Sequence, residues 1–224
     1  NETGEEFPPY DYQCCTMSLP HLLRSYNYSG KPYIKPVTNN FKKFVNDEYG
    51  EDTLKIGIAS AGSPAHPHDP TRSIPLKHFR SIYETEGVKL LSLQFDTRPR
   101  KYGGFDMRPG SAGKVVDYSE GCENMKLIDL TTMIQSMEDT CTILAGLDLV
   151  IACDTATVHL AGAMGVPCWM CIPYNPDWRW GEESNKTIWY DSVKIFRQKT
   201  RGDWAGVLEE VQKELNEALL QNKR

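Results

Sequence analysis

With 224 residues, 40% hydrophobic and 25% charged, the chain has the composition of an ordinary globular protein of one large or two small domains. A net charge of −5 excludes overall attraction to nucleic acid or to an acidic membrane surface, so any anion site must be local. No apolar stretch approaches the roughly 18 residues of a transmembrane span, and the acidic, polar first six residues are unlike a signal peptide. That start also lacks an initiating methionine, so the chain reads as a piece of something longer. Seven cysteines without framework spacing point to reduced thiols and a cytoplasmic setting.

Residues 1–53 are rich in turn formers, among them Pro8-Pro9, Ser29-Gly30 and Asn39-Asn40. They read as an irregular lead-in with one short helix around 41–49. From Leu54 strands and helices alternate. Apolar runs predict strands at 54–59, 88–94, 126–130, 147–153, 167–172 and 192–196. Helices are expected at 76–86, 134–145, 156–165 and 203–221. This order predicts an α/β, Rossmann-like parallel sheet with helices on both faces, over residues 54–224. Trp204, Val207, Leu208, Val211, Leu215 and Leu219 give the last helix an apolar stripe, with Asp203 placed to cap it.

The strand at 147–153 runs into Asp154-Thr155-Ala156-Thr157-Val158-His159. Asp154 or Thr155 caps the helix that follows. Its amino end presents N–H groups and a positive dipole end, which suits phosphate. Thr155 and His159 share a face, and both can donate to phosphate oxygens. Ala161, Gly162, Ala163 and Gly165 would let this helix lie close on the sheet. The loop after the first strand carries Ser60, Gly62, Ser63 and Arg72. The serines offer hydroxyls, Gly62 permits close backbone approach, and Arg72 offers a positive fork for a diphosphate. A solvated loop with Arg72 paired to Asp69 is the plainer alternative. Gln94, at the same sheet edge, or Asp96 could bond a ribose or base. Asp139 is either a base contact or a solvated helix residue. Trp178, Arg179 and Trp180 either face a base or sugar or pack the carboxyl-terminal lobe.

His66, His68 and Asp69 lie between prolines with no second ligand cluster, so no metal site is expected. Cys168 and Cys171 spell C-x-x-C, but in a strand they point to opposite faces and read as buried structural thiols.

The run from Asp154 to Pro167 resembles the donor-binding signature of the heptosyltransferase-like glycosyltransferases of family nine. It is most similar to the branch associated with tetratricopeptide repeats. Further matches follow in chain order: Lys55 to Pro64, Asp69 to Arg72 with Ser73-Ile74-Pro75-Leu76, Ser92-Leu93-Gln94, Pro176 to Trp180, Trp189-Tyr190, and Phe196-Arg197-Gln198. The resemblance covers roughly residues 7–215. It implies the carboxyl-terminal, donor-binding half of a two-domain type B fold. The site it implies comprises Ser60, Gly62, Ser63, Arg72, Gln94, Asp154, Thr155, Ala156 and His159. It implies a nucleotide-diphosphate sugar as donor substrate, no cofactor, and metal-independent inverting transfer to an acceptor hydroxyl. In the family the general base comes from the amino-terminal half, so no base is assigned here. The expected partners are the nucleotide sugar and an amino-terminal acceptor domain or tetratricopeptide-repeat region of a longer parent. Two alternatives stand beside this reading: a non-catalytic nucleotide-binding or interaction module, and half of a nucleotide-sugar epimerase.

Overall fold

The computed structural model describes residues 9, 11–15, 18–25, 28–35, 40–63, 66–94 and 125–222. Asp96 lies outside them. Six strands form one parallel sheet: β1 (Leu54–Ala59), β2 (Val88–Ser92), β3 (Ile128–Asp129), β4 (Leu149–Cys153), β5 (Cys168–Ile172) and β6 (Val193–Arg197). Their order is β3-β2-β1-β4-β5-β6. The central strands are covered on both faces: all of β4 is buried, as is β1 after Leu54.

One face carries α2 (Asn40–Tyr49), α5 (Met137–Ala145) and α6 (Ala156–Met164), whose Phe41, Val45, Leu144 and Val158 fill one core layer. The other carries a 3-10 turn (Leu76–Phe79), α4 (Arg80–Tyr83) and α7 (Trp204–Asn222), with Phe79, Ile82, Trp204 and Val211. Two single helical turns, α1 (Leu19–Leu22) and α3 (Asp69–Arg72), and two further 3-10 turns, Thr131–Met133 and Trp178–Trp180, lie outside these layers' main helices. Cys168 joins the first layer and Cys171 the second, on opposite sides of the sheet. Burial pushes the Cys168 thiol up to about 12 and the Cys171 thiol well above its ordinary range, so neither is a ready nucleophile.

Three elements differ from the sequence expectation. The helix expected at 76–86 is a 3-10 turn followed by one α turn that ends at its C-cap Glu84, and Gly87, in the left-handed region at φ +78°, turns the chain into β2. The helix expected from 134 starts at 137, where Ser136 and Asp139 form a reciprocal capping box. The strand expected at 126–130 is two residues long and sits at the sheet edge. The short helix foreseen around 41–49 is α2, and it puts Phe41 and Val45 into the core.

The sheet's lower edge is fixed by a buried lysine. Lys55, 1% exposed, donates its ammonium to the carbonyls of Gly50 (2.6 Å) and Glu51 (3.4 Å). Its backbone N–H donates to Asp148 Oδ2 at 2.8 Å. In the middle of β1, a Cβ on Gly57 would sit 2.5 Å from Leu147 Cδ1 and 2.7 Å from Leu93 Cδ1. Gly57→Ala is therefore expected to cost about 1–3 kcal/mol through overpacking. A urea midpoint equal to that of the parent chain would refute this.

Candidate functional site: the crevice above β1 and β4

β1 and β4 are neighbours, with Ala59 paired to Ala152, yet their crossovers leave in opposite directions along the sheet. This is the topological switch point, where open α/β sheets leave a crevice outside the strand ends. The loop from Ser60 to Ser73 enters it from β1, and residues 154–159 enter it from β4.

Arg72 joins the two. Its Nη1 donates to the Asp154 carbonyl at 2.9 Å. Its Nε lies 3.4 Å from Asp69 Oδ1, and Asp69 is 2% exposed. Asp69 Oδ1 also accepts from Ser73 Oγ (2.9 Å), and Ser73 Oγ accepts from the Gly62 N–H (3.0 Å). The pairing of Arg72 with Asp69 is thus real, and it latches the loop. A guanidinium carries five N–H donors, so these two contacts leave donors for a ligand. Gly62 has a use the sequence did not suggest: a Cβ there would collide with the Arg72 guanidinium. Its missing side chain seats the arginine.

Gln94 holds the same loop from the other side. Its Oε1 accepts from the Ala61 N–H (2.9 Å) and its Nε2 donates to the Ala61 carbonyl (2.8 Å). Both ends of the amide are thus bonded to the β1 loop backbone. Ser60 is buried, and its carbonyl accepts from the Ile74 N–H at 2.7 Å. Ser63 is exposed, with its carbonyl accepting from His66. Asp139 is turned to its own helix: its Oδ2 accepts from the N–H groups of Gln135 (3.0 Å) and Ser136 (2.9 Å). Those bonds hold its carboxyl below the usual range.

Thr155 is the N-cap of α6, in extended backbone at φ −142° and ψ 171°. Its hydroxyl donates to the Cys153 carbonyl at 3.2 Å and makes no cap hydrogen bond to the first turn. No side chain closes this end of α6, so its leading N–H groups, Ala156 among them, remain for an anion. Gly165, at φ +75°, closes the other end in the left-handed region.

His159 sits one turn into α6. Its Nδ1 lies 3.0 Å from the Tyr190 hydroxyl. Its ring lies 5.3 Å from Trp180, tilted by 31°. Burial lowers its pKa, the Asp154 and Asp177 carboxylates oppose that, and Arg179 reinforces it. Sequence reasoning noted Trp189-Tyr190 and Trp180 but gave neither a role beside the histidine. Gly162 carries the missing signal. A Cβ there would strike the Tyr190 ring, so the glycine seats tyrosine on α6 rather than bringing helix to sheet. Trp180 is buried, and Trp178 is exposed. Arg179 pairs with Asp177 at 2.8 Å. Among the described residues, no group of three His, Cys, Asp or Glu side chains could hold a metal ion. No helix there is long and apolar enough to cross a membrane.

No family model matches the chain. Over 150 residues it is 33% identical to protein FlbA of Caulobacter vibrioides, a match covering 67% of this chain and 23% of FlbA. Among solved structures, it superposes on the ADP-heptose lipopolysaccharide heptosyltransferase II of E. coli with a TM-score of 0.53 and 14% identity. The family 9 glycosyl transferase of Veillonella parvula matches with a TM-score of 0.53 and 16% identity. Each superposition covers 84% of this chain and 54% of the other. The chain thus spans about half the length of the solved structures it matches and under a quarter of FlbA. These likenesses establish the architecture: the chain adopts the Rossmann-like α/β fold found within these glycosyltransferase structures.

Proposed function

We infer that the chain is the donor-binding half of a glycosyltransferase, holding a nucleotide-diphosphate sugar at the crevice above β1 and β4. One observation carries this reading: the uncapped amino end of α6 faces a loop whose arginine is already bonded to Asp154. In this reading the diphosphate accepts from the first N–H groups of α6 and from Arg72. Both positive groups favour the leaving diphosphate as the sugar departs, with no metal required. Direct attack by an acceptor hydroxyl inverts the anomeric carbon, and the base that takes the hydroxyl proton belongs to a partner domain. The sequence resemblance and the fold likeness both support this.

A nucleoside diphosphate or nucleotide sugar of the right base is expected to raise the unfolding temperature. At a hundred times Kd the added stability is about 2.7 kcal/mol. The experiment is a thermal-shift screen across bases, followed by a bound structure. No shift with any diphosphate, or a nucleotide bound away from residues 154–159, would overturn the reading. Incubated alone with nucleotide sugars and acceptors, the chain is expected to release no nucleoside diphosphate. Positioning the acceptor contributes on the order of 7–11 kcal/mol to lowering the barrier, and this half supplies none of it. Turnover by a monomer would contradict that division of labour. The module reading shares the binding site and differs only in lacking a catalytic partner.

A further inference from the structure

Three side chains from distant parts of the chain meet beside the crevice. Tyr33, in the segment before α2, comes up against the Tyr190 hydroxyl. Tyr190, just before β6, reaches His159 Nδ1 at 3.0 Å. Tyr190 is 8% exposed and Tyr33 is 71% exposed. The ring of Tyr190 is held by its seat on Gly162 and lies edge-on to His159 at 5.8 Å. Tyr33 is held by its own backbone, which donates to the Ala163 carbonyl at 2.8 Å.

We propose that Tyr190 is a positioning residue for the diphosphate site: its hydroxyl donates to His159 Nδ1 and fixes the ring as the Nε2–H tautomer, turning a donor toward the ligand. A neutral imidazole has one donor nitrogen and one acceptor. His159 is neutral at pH 7, because burial and Arg179 lower its pKa. The Tyr190 hydroxyl keeps its proton, since burial and the Tyr33 contact push it up to about 12. That single proton has two possible acceptors, His159 Nδ1 and the Tyr33 oxygen. An imidazole nitrogen is far the stronger base, so it takes the bond. Nε2, on the far edge of the ring from Tyr190, then carries the remaining proton and makes no hydrogen bond among the described residues. Side chains on a helix lean toward its amino end. This nitrogen therefore serves the anion end of α6 as a donor, where the opposite tautomer would present a lone pair to phosphate.

The proposal rests on the donor-site reading for its ligand but not for its first test. Long-range proton–nitrogen NMR of the free chain reads the tautomer directly. The parent chain is expected to show His159 protonated at Nε2 with Nδ1 bare. Tyr190→Phe keeps the ring on Gly162, and its His159 signals are expected to move to a mixture of tautomers. Protonated Nδ1 in the parent, or an unchanged tautomer in the variant, overturns the proposal. Inorganic pyrophosphate is the binding probe. Tyr190→Phe is expected to weaken it about three- to tenfold, and His159→Gln, whose amide N–H stands near the Nε2 position, is expected to weaken it less. In the His159→Gln background, Tyr190→Phe is expected to have no further effect. An equal loss in both backgrounds would mean that Tyr190 only supports the fold, and would also overturn the proposal. If pyrophosphate fails to bind the parent chain, the donor-site reading falls, and the tautomer stands or falls on the NMR alone.

Discussion

Trp180→Ala is expected to remove about 3–5 kcal/mol of folding stability, the range for truncating a large buried aromatic. The indole is 2% exposed and belongs to the core layer that holds α6 to the sheet, beside Tyr190, Val158 and Ala161. His159 lies against its face. The substitution leaves a cavity under the first turns of α6, so its effect reaches the anion end as well as the fold. Urea unfolding measures the first effect. Pyrophosphate titration below the unfolding transition measures the second. A midpoint within experimental error of the parent chain would show that Trp180 is not part of the core. The neighbouring Trp178, 69% exposed, serves as the control, and its alanine variant is expected to leave the midpoint nearly unchanged.

Arg72→Ala is expected to weaken nucleoside-diphosphate binding by about 1–3 kcal/mol, roughly five- to 150-fold, the scale of lost charge-assisted hydrogen bonds. The arginine is 18% exposed at its side chain and bridges the two segments of the crevice. Its removal also leaves Asp69 buried without its cation. Arg72→Lys separates the contributions, since a lysine keeps the charge but cannot bond Asp154 and Asp69 as a fork. The lysine variant is expected to recover part of the affinity and little of the loop order. Calorimetry that finds the alanine variant as tight a binder as the parent would place Arg72 outside the site.

The sheet was legible because its strands are short, mostly apolar runs, and β1, β4 and β5 are each buried almost throughout. The junction after β4 was legible because strand, cap and helix follow one another within a few residues. What could not be read were contacts between side chains far apart in sequence. Gly62 and Gly162 are ordinary glycines in a string of letters. Their use, seating Arg72 and Tyr190, depends on where two other segments arrive. Gln94 sits at a sheet edge that suits a ribose, yet its amide is bonded at both ends to Ala61. The break between the 3-10 turn and α4 was equally hidden. An apolar period fits both helix types over so few residues.

The order of the strands also bears on how the molecule folds. β1 with β2, and β4 with β5 and β6, can each close through a local crossover. The seam between the two groups cannot: the Lys55–Asp148 bond spans 93 residues and the Arg72–Asp154 bond spans 82. The entropy of loop closure disfavours that joining until each group can offer a formed edge, although the added cost is only about 0.6 kcal/mol per doubling of loop length. The seam is then expected to assemble after the local crossovers. A diphosphate held in the proposed site would lie across this seam and act as a clasp on that step. Its stabilising effect should fall on the cooperativity between the two halves of the sheet more than on either half alone.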